Sequence, residues 1–421
     1  MFHVEQHLLR TLLRRSIQAP RATIRPPVIS LDRYATLLAQ PALRSTIVTS
    51  ILGRLPIGIA GLAILLLAQS TTGSFALGGA TAASYTAGLA MVAPFLGRLI
   101  DRSGPRHTLL ACSFAFPAAL AALVAILDST SPLWLACVAA AAAGATFPPI
   151  TVCMRTFFKQ RLKDDDLLAA AYSLESVVIE LIFILGPMLV AFFVAAASPA
   201  AAVVFAAFCG CVGPLLFQRS QALRGWRIEQ RTQASLFGPL AEPGFAPLLA
   251  VIVCYASAFG LTEIATTAFA AEKASPALAG VLLSVMSVGS ASGGLVYGSR
   301  SWRLPLARQF PLMLVLMGLG IAPLAVLPAT WPFGAWCVVA GIAMAPALIM
   351  QSMLVAKIAR PEHSTEAFTW SATSLLAGVG IGLTAGGALL EYWRAATVFA
   401  AAAGLSIFAG ALATRLVRLK S

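Results

Sequence analysis

Charge is what this 421-residue sequence has least of. Asp, Glu, Lys and Arg together make up 11% of it, under half of what soluble domains carry, which excludes a water-soluble fold of ordinary size. Histidine is nearly absent: His3, His7, His107 and His363 all fall in or beside segments expected to face the cytoplasm. There is no H-E-x-x-H pair and no P-loop, so a clustered metal site or a His-based triad inside the apolar segments is excluded. The seven cysteines, at 112, 137, 153, 209, 211, 254 and 337, lie within apolar runs. Cys209 and Cys211, two apart on a helix, point to different faces. They read as small core residues, not as disulfides or metal ligands. An enzyme is therefore not expected, nor is a metal or any other cofactor.

Hydrophobic residues are abundant, at 59%, with a mean hydropathy of +0.86. A helix needs roughly 20 apolar residues to cross the hydrocarbon of a bilayer, so the chain has room for about a dozen spans with short loops. They are expected near 45–68, 75–98, 107–127, 133–154, 167–195, 199–217, 246–270, 276–299, 309–328, 331–355, 367–390 and 393–414. The polar, basic stretch 219–244, ending in Pro239, Pro243 and Gly244, splits them six and six. The expected organisation is an all-α membrane protein: a basic arm over 1–44, bundles over 45–218 and 245–415, the 219–244 linker, and a tail over 416–421. Residues 1–40 of the arm carry six arginines without an apolar core, so they are not expected to be a secretory signal. Val4, Leu8, Leu12 and Leu13 recur at helical spacing and could lie along the inner leaflet.

The formal net charge of +13 suggests nucleic acid until its placement is considered. Arg98, Arg102 and Arg106; Arg155, Lys159, Arg161 and Lys163; Arg219, Arg224, Arg227 and Arg231; and the later basic groups to Lys420 all fall on alternate loops. The opposite loops offer only Lys273 and Arg394. This asymmetry predicts a multi-pass protein of the cell inner membrane with both termini in the cytoplasm, having the lipid bilayer and a small solute as partners, no nucleic acid, and a monomeric state.

The most specific segment is Gly97-Arg98-Leu99-Ile100-Asp101-Arg102-Ser103-Gly104-Pro105-Arg106, read as a charged turn between spans 2 and 3. It resembles the G-x-x-x-D-R-x-G-R-[RK] signature of the major facilitator superfamily. Gly97, Asp101, Arg102, Gly104 and Arg106 match, and Pro105 departs. The halves also look like copies. Gly73 to Gly79 resembles Ala274 to Gly280, Ala171-Tyr172-Ser173 parallels Ala367-Phe368-Thr369, and Gly186 falls opposite Gly382, while Gly298 stands where Asp101 would be. The resemblance implies twelve helices in two pseudo-two-fold-related bundles, with substrate held between them. It also implies a gating loop in which Asp101 latches the start of helix 11, near Thr365-Glu366-Ala367, at the cytoplasmic side.

Four ionisable residues fall within the spans, where a charge costs at least about 2.5 to 3.5 kcal/mol and needs a cavity or a partner. Arg54 could hold an anionic substrate through paired hydrogen bonds, pair with Glu175 or Glu180, or extend to the inner surface. Glu180 is expected near the midplane as a proton-coupling carboxylate. Glu175 projects about 140° away from it. Glu263 is expected in the outer half of helix 7, lining a vestibule or simply hydrated there. Gly186-Pro187 resembles the centre of the helix 5 motif of the superfamily's antiporters, with Val190 and Ala191 where that motif carries glycine. As physical chemistry it is a kink. The ridges Gly378-Gly382-Gly386, Gly289-Gly293 and Gly294-Gly298 suit close helix contact, and Asp164-Asp165-Asp166 suits a helix start. The expected function is alternating-access export of drugs or metabolites driven by the proton gradient, with import of an organic anion held by Arg54 as the alternative.

Overall fold

The computed structural model describes residues 37–129, 132–162, 165–220, 240, 242–298, 302, 304–359 and 364–418. Among the described residues, twelve helices are long and apolar enough to cross a membrane. In chain order they are α1 (Pro41–Arg54 and Pro56–Thr72), α2 (Phe75–Ser103), α3 (Pro105–Leu127), α4 (Leu133–Ala145 and Ile150–Arg161), α5 (Asp165–Ala196) and α6 (Pro199–Gln218). The second set is α7 (Phe245–Glu272), α8 (Ala277–Gly298), α9 (Leu306–Ile321, extended by a 3-10 turn over Ala322–Ala325), α10 (Thr330–Gly341 and Met344–Ile358), α11 (Ser364–Leu390) and α12 (Ala395–Arg418). Residues 221–239 and 241 of the linker, and 1–36 of the arm, lie outside the described residues, as does Asp164.

Local chemistry sets the boundaries. Ser74 and Ser198 each accept a backbone N–H three residues on and so cap α2 and α6. Proline opens α1, α3 and α6, where its missing N–H costs nothing. Three spans are broken, and a proline accounts for each break by removing the donor to the carbonyl four residues back. Pro56 interrupts α1 at Leu55, Pro148 and Pro149 divide α4, and Pro346 frees the Ile342 carbonyl at the break in α10.

The charged turn expected over 97–106 is shorter than its sequence suggests. α2 remains helical through Ser103, and α3 begins at Pro105. One residue makes the reversal: Gly104, at φ 79°, a backbone conformation that side-chain-bearing residues resist. Asp101 and Arg102 thus end a helix and do not occupy a loop. Helices also overrun their expected ends: α1 from Pro41 to Thr72, and α4 and α10 to Arg161 and Ile358.

Two bundles result, α1 to α6 and α7 to α12, and matching contacts recur in them. In the first, Gly88 on α2 abuts the Ala141 carbonyl and Gly144 on α4 abuts the Tyr85 carbonyl. In the second, Gly289 on α8 abuts the Val338 carbonyl and Gly341 on α10 abuts the Met286 carbonyl. A side chain at any of the four would collide with backbone, so α2–α4 and α8–α10 use the same small-residue packing. Each bundle has its own apolar core. The membrane level is marked by exposed Trp134, Trp331, Tyr392 and Trp393 at one set of helix ends, as expected of an interfacial aromatic belt. The other ends carry Arg44, Arg106, Arg161, Arg219, Arg308, Lys357 and Arg415; this side is the basic face, and the belt marks the opposite face.

Candidate functional site

The two bundles meet through α2 on α11 and α5 on α8, and the contacts lie toward the opposite face. On the first seam, Gly387 admits Phe75 and Ala76, Gly79 admits the Leu383 carbonyl, and Gly380 sits against Ala83. The second seam has Gly280 against the Pro187 carbonyl and Ala191, with the Ser284 hydroxyl donating to the Ile184 carbonyl at 2.8 Å. Leu65 on α1 joins the second bundle's core. Gly61 lies one turn nearer the basic face on the same side of α1, and within 4 Å of where its Cβ would be there is nothing. That side of α1 therefore meets open space at Gly61. Gly97 and Gly298, at the basic-face ends of α2 and α8, are likewise open.

Arg54 and Glu175 come together within the first bundle. The Arg54 Nη2 donates to Glu175 Oε1 at 3.2 Å, with both side chains 2% exposed. Of the partners the sequence offered Arg54, the structure selects Glu175. The pairing follows from helix geometry: Gly58 packs against Ile182 and Gly186, so α1 and α5 touch backbone to backbone, and Glu175 lies on that same face of α5. Gly186 thus serves α1–α5 packing, while the adjoining Pro187 faces α8.

Glu180 is on the other side of α5. Ile184, Pro187 and Ala191 form the stripe that meets α8, and Glu180 continues it one turn toward the basic face. Glu263 on α7 is also half-buried, next to Ile264, which packs on Gly79 and Gly386. Neither Glu180 nor Glu263 has a hydrogen-bonding or ionic partner among the described residues.

Glu263 lies in the outer half of α7, and Glu180 sits halfway along α5. At 1.5 Å per residue, Glu263 lies about 14 Å below the opposite-face end of α7, and Gly61 about 16 Å below that of α1, both near the middle of roughly 30 Å of hydrocarbon. Glu180 lies about 24 Å below the end of α5. Of the two carboxyls Glu263 lies nearer the opposite face, and Glu180 lies nearer the basic face. The apolar span of α5, Val177–Ala196, starts well inside the helix, so counting from the helix start overestimates the depth of Glu180.

The structure places Gly97, Gly104 and Arg106 at the basic-face junction of α2 and α3, with Arg106 exposed; the side chains of Asp101, Arg102, Thr365 and Glu366 lie outside those described. Gly378, Gly382 and Gly386 pack on α7, within one bundle. Two features had no place in the reading of the sequence. One is a buried polar triad in the second bundle, in which the Tyr255 hydroxyl donates to Gln351, whose Nε2 donates to Ser371 at 2.6 Å. The other is Glu391, joined across the bundles to the start of α2. Gln351 could have been picked out as a lone amide in an apolar run; Glu391 carries no local signal.

A sequence model of the Major Facilitator Superfamily matches residues 46–272 and 248–421. Among solved structures, a nucleoside transporter superposes with a TM-score of 0.69 at 14% identity, covering 90% of this chain and 100% of its own. A human organic anion transporter gives 0.60 at 18%, covering 89% and 100%, and a peptide transporter 0.66 at 16%, covering 89% and 94%. At these identities the likeness establishes the fold alone. No curated protein sequence matches the chain.

Proposed function

The chain belongs to the major facilitator superfamily, and on that premise we propose that it is a secondary carrier exporting a small organic solute in exchange for protons. In this reading the basic face is cytoplasmic, the protein acts as a monomer in the inner membrane, and the present conformation is closed outward. Solute enters the open space beside Gly61 from the cytoplasm and leaves when the bundles rock about their α2–α11 and α5–α8 seams. No cofactor takes part; the proton gradient supplies the energy.

The observation that carries this reading is the pair of unpartnered carboxyls, Glu180 and Glu263, at and below the level where the seams open. An intramembrane carboxyl without a counter-ion is stable when neutral or when it meets a cation, which is what a group that alternates between a proton and a substrate requires. The charge inventory also favours solutes that are neutral or carry an amine. Arg54, the cation that would hold an organic anion, is engaged by Glu175 at 3.2 Å in a buried pair, which counts against anion import.

The test is transport by purified protein in proteoliposomes under imposed pH gradients of either sign, with a permanently charged organic cation and an organic carboxylate as probes. Cation movement driven by an opposed proton gradient, lost in Glu180→Gln or Glu263→Gln, supports the proposal. Carboxylate uptake that survives both variants and is lost in Arg54→Gln would replace it with the importer reading.

A further inference from the structure

We propose that Glu391 is the latch of the opposite-face gate, holding the bundles shut by capping the first turn of α2 from across the seam. Its Oε1 accepts hydrogen bonds from the Ser74 hydroxyl and from the Ala76 N–H, the latter at 3.2 Å. Ser74 is the N-cap of α2 and at the same time accepts the Leu77 N–H at 3.2 Å. Glu391 therefore joins a cap already formed within the first bundle, adding a full negative charge at the positive end of a 29-residue helix. The seam beneath is continuous: Gly387, Gly79 and Gly380 follow at successive turns, so a bond made at the top is registered along the closed part of the interface.

The arrangement has a direction. α2 and α11 run antiparallel, so the end of each lies near the start of the other at both faces. Glu391 follows α11 and caps α2 at the opposite face. Asp101 ends α2 at the basic face, where the family resemblance has it reach the start of α11. One helix pair thus carries a carboxylate at each end, with the Glu391 contact made in the state closed at the opposite face.

The latch is sensitive to protons from the side it faces. The two donors hold the Glu391 carboxyl below its usual carboxylate range, against a weaker opposing effect of burial. A group depressed in the latched state favours that state above its ordinary value, and the benefit is lost as pH falls through the latched value. Among the described residues the charged neighbours are few. Glu272 at the end of α7 faces Arg394 at 3.8 Å and accepts the Ala395 N–H at 3.4 Å, Lys273 lies over the Phe269 ring, and the first turn of α2 carries no charge.

The proposal rests on the alternating-access reading and is tested by distance measurement on detergent-purified full-length protein. Spin labels are placed at exposed positions 72 and 392, flanking the seam, after the native cysteines are replaced. Glu391→Gln and Ser74→Ala are expected to raise the long-distance, opened population about two- to five-fold, the range for a charge at an exposed helix start. Lowering the pH well below about 4, the ordinary carboxylate value, is expected to shift the parent toward the opened population and leave Glu391→Gln unchanged. A parent-like distribution in both variants overturns the latch. So does a pH response that persists in Glu391→Gln and vanishes in Glu272→Gln. Gly280→Leu, which wedges the second seam, separates the two levels: if it opens the face and Glu391→Gln does not, only the latch fails. If nothing opens the face, the alternating-access reading fails with it.

Discussion

Replacing Arg54 with leucine takes the guanidinium at 3.2 Å away from the Glu175 carboxylate, at a place where only 2% of its side chain meets solvent. Removing one member of a buried ion pair costs about 3–5 kcal/mol, because the survivor loses its compensation and does not regain water. For a unit the size of the first bundle, each kcal/mol shifts Tm by about 2–4 °C, so a fall of roughly 6–20 °C is expected. Glu175→Leu takes the carboxylate away from the guanidinium and belongs in the same range. The double variant removes both charges and leaves two apolar side chains between α1 and α5. Such exchanges are commonly neutral or stabilising by about 1–4 kcal/mol, so it should melt near or above the parent. The four proteins are compared by thermal unfolding in detergent, followed by tryptophan fluorescence. Single variants melting within roughly 2 °C of the parent, or a double variant showing the sum of the two losses, would refute the inference that the pair compensates itself. Because both partners belong to one bundle, the pair moves as a unit when the bundles rock, and its strength does not oppose transport.

Glycines give a paired prediction. Gly61→Ala meets open space and exchanges a poor helix former for the best, so stability should hold or rise by up to about 1 kcal/mol, whereas Gly88→Ala drives a methyl group into the Ala141 carbonyl and should cost about 1–3 kcal/mol or more; melting temperatures decide both. Gly280→Ala, against the Pro187 carbonyl across the second seam, should spare the melting of each bundle and weaken closure of the opposite face, read as faster labelling of a thiol at position 61 from that side. In proteoliposomes, Glu263→Gln should remove the pH dependence of transport while leaving stability within about 0.5 kcal/mol of the parent, the scale of a substitution away from any packing or pairing feature; unaltered proton coupling would exclude Glu263.

The number and order of the helices were legible because hydropathy is a property of each segment alone, and twenty apolar residues have few other destinations. The repeat was legible for the same reason, and it reappears as equivalent Gly88–Gly144 and Gly289–Gly341 contacts. The ends were not. Gly97 to Arg106 reads as a turn because charge and glycine gather there, yet a helix emerging from a bilayer can carry charge for another turn or two, and Gly104 alone is enough to reverse the chain. Arg54 needed a partner on energetic grounds, but the choice between Glu175 and Glu180 depends on which face of α5 meets α1, and backbone contact at Gly58 and Gly186 decides that. Glu391 and Ser74 are 317 residues apart, in loops of no distinctive composition. Their contact follows only from the way α2 and α11 cross.

The central claim is a chamber between two bundles that opens to each face in turn, and a single cysteine at position 61, in a background free of the native cysteines, tests it most directly. With a membrane-impermeant thiol reagent applied to oriented vesicles, fast reaction from the basic face is predicted, together with slow but measurable reaction from the opposite face that quickens in Glu391→Gln. A thiol at that position which reagent reaches from neither face would mean the bundles are joined through the middle of the membrane, and would contradict the account.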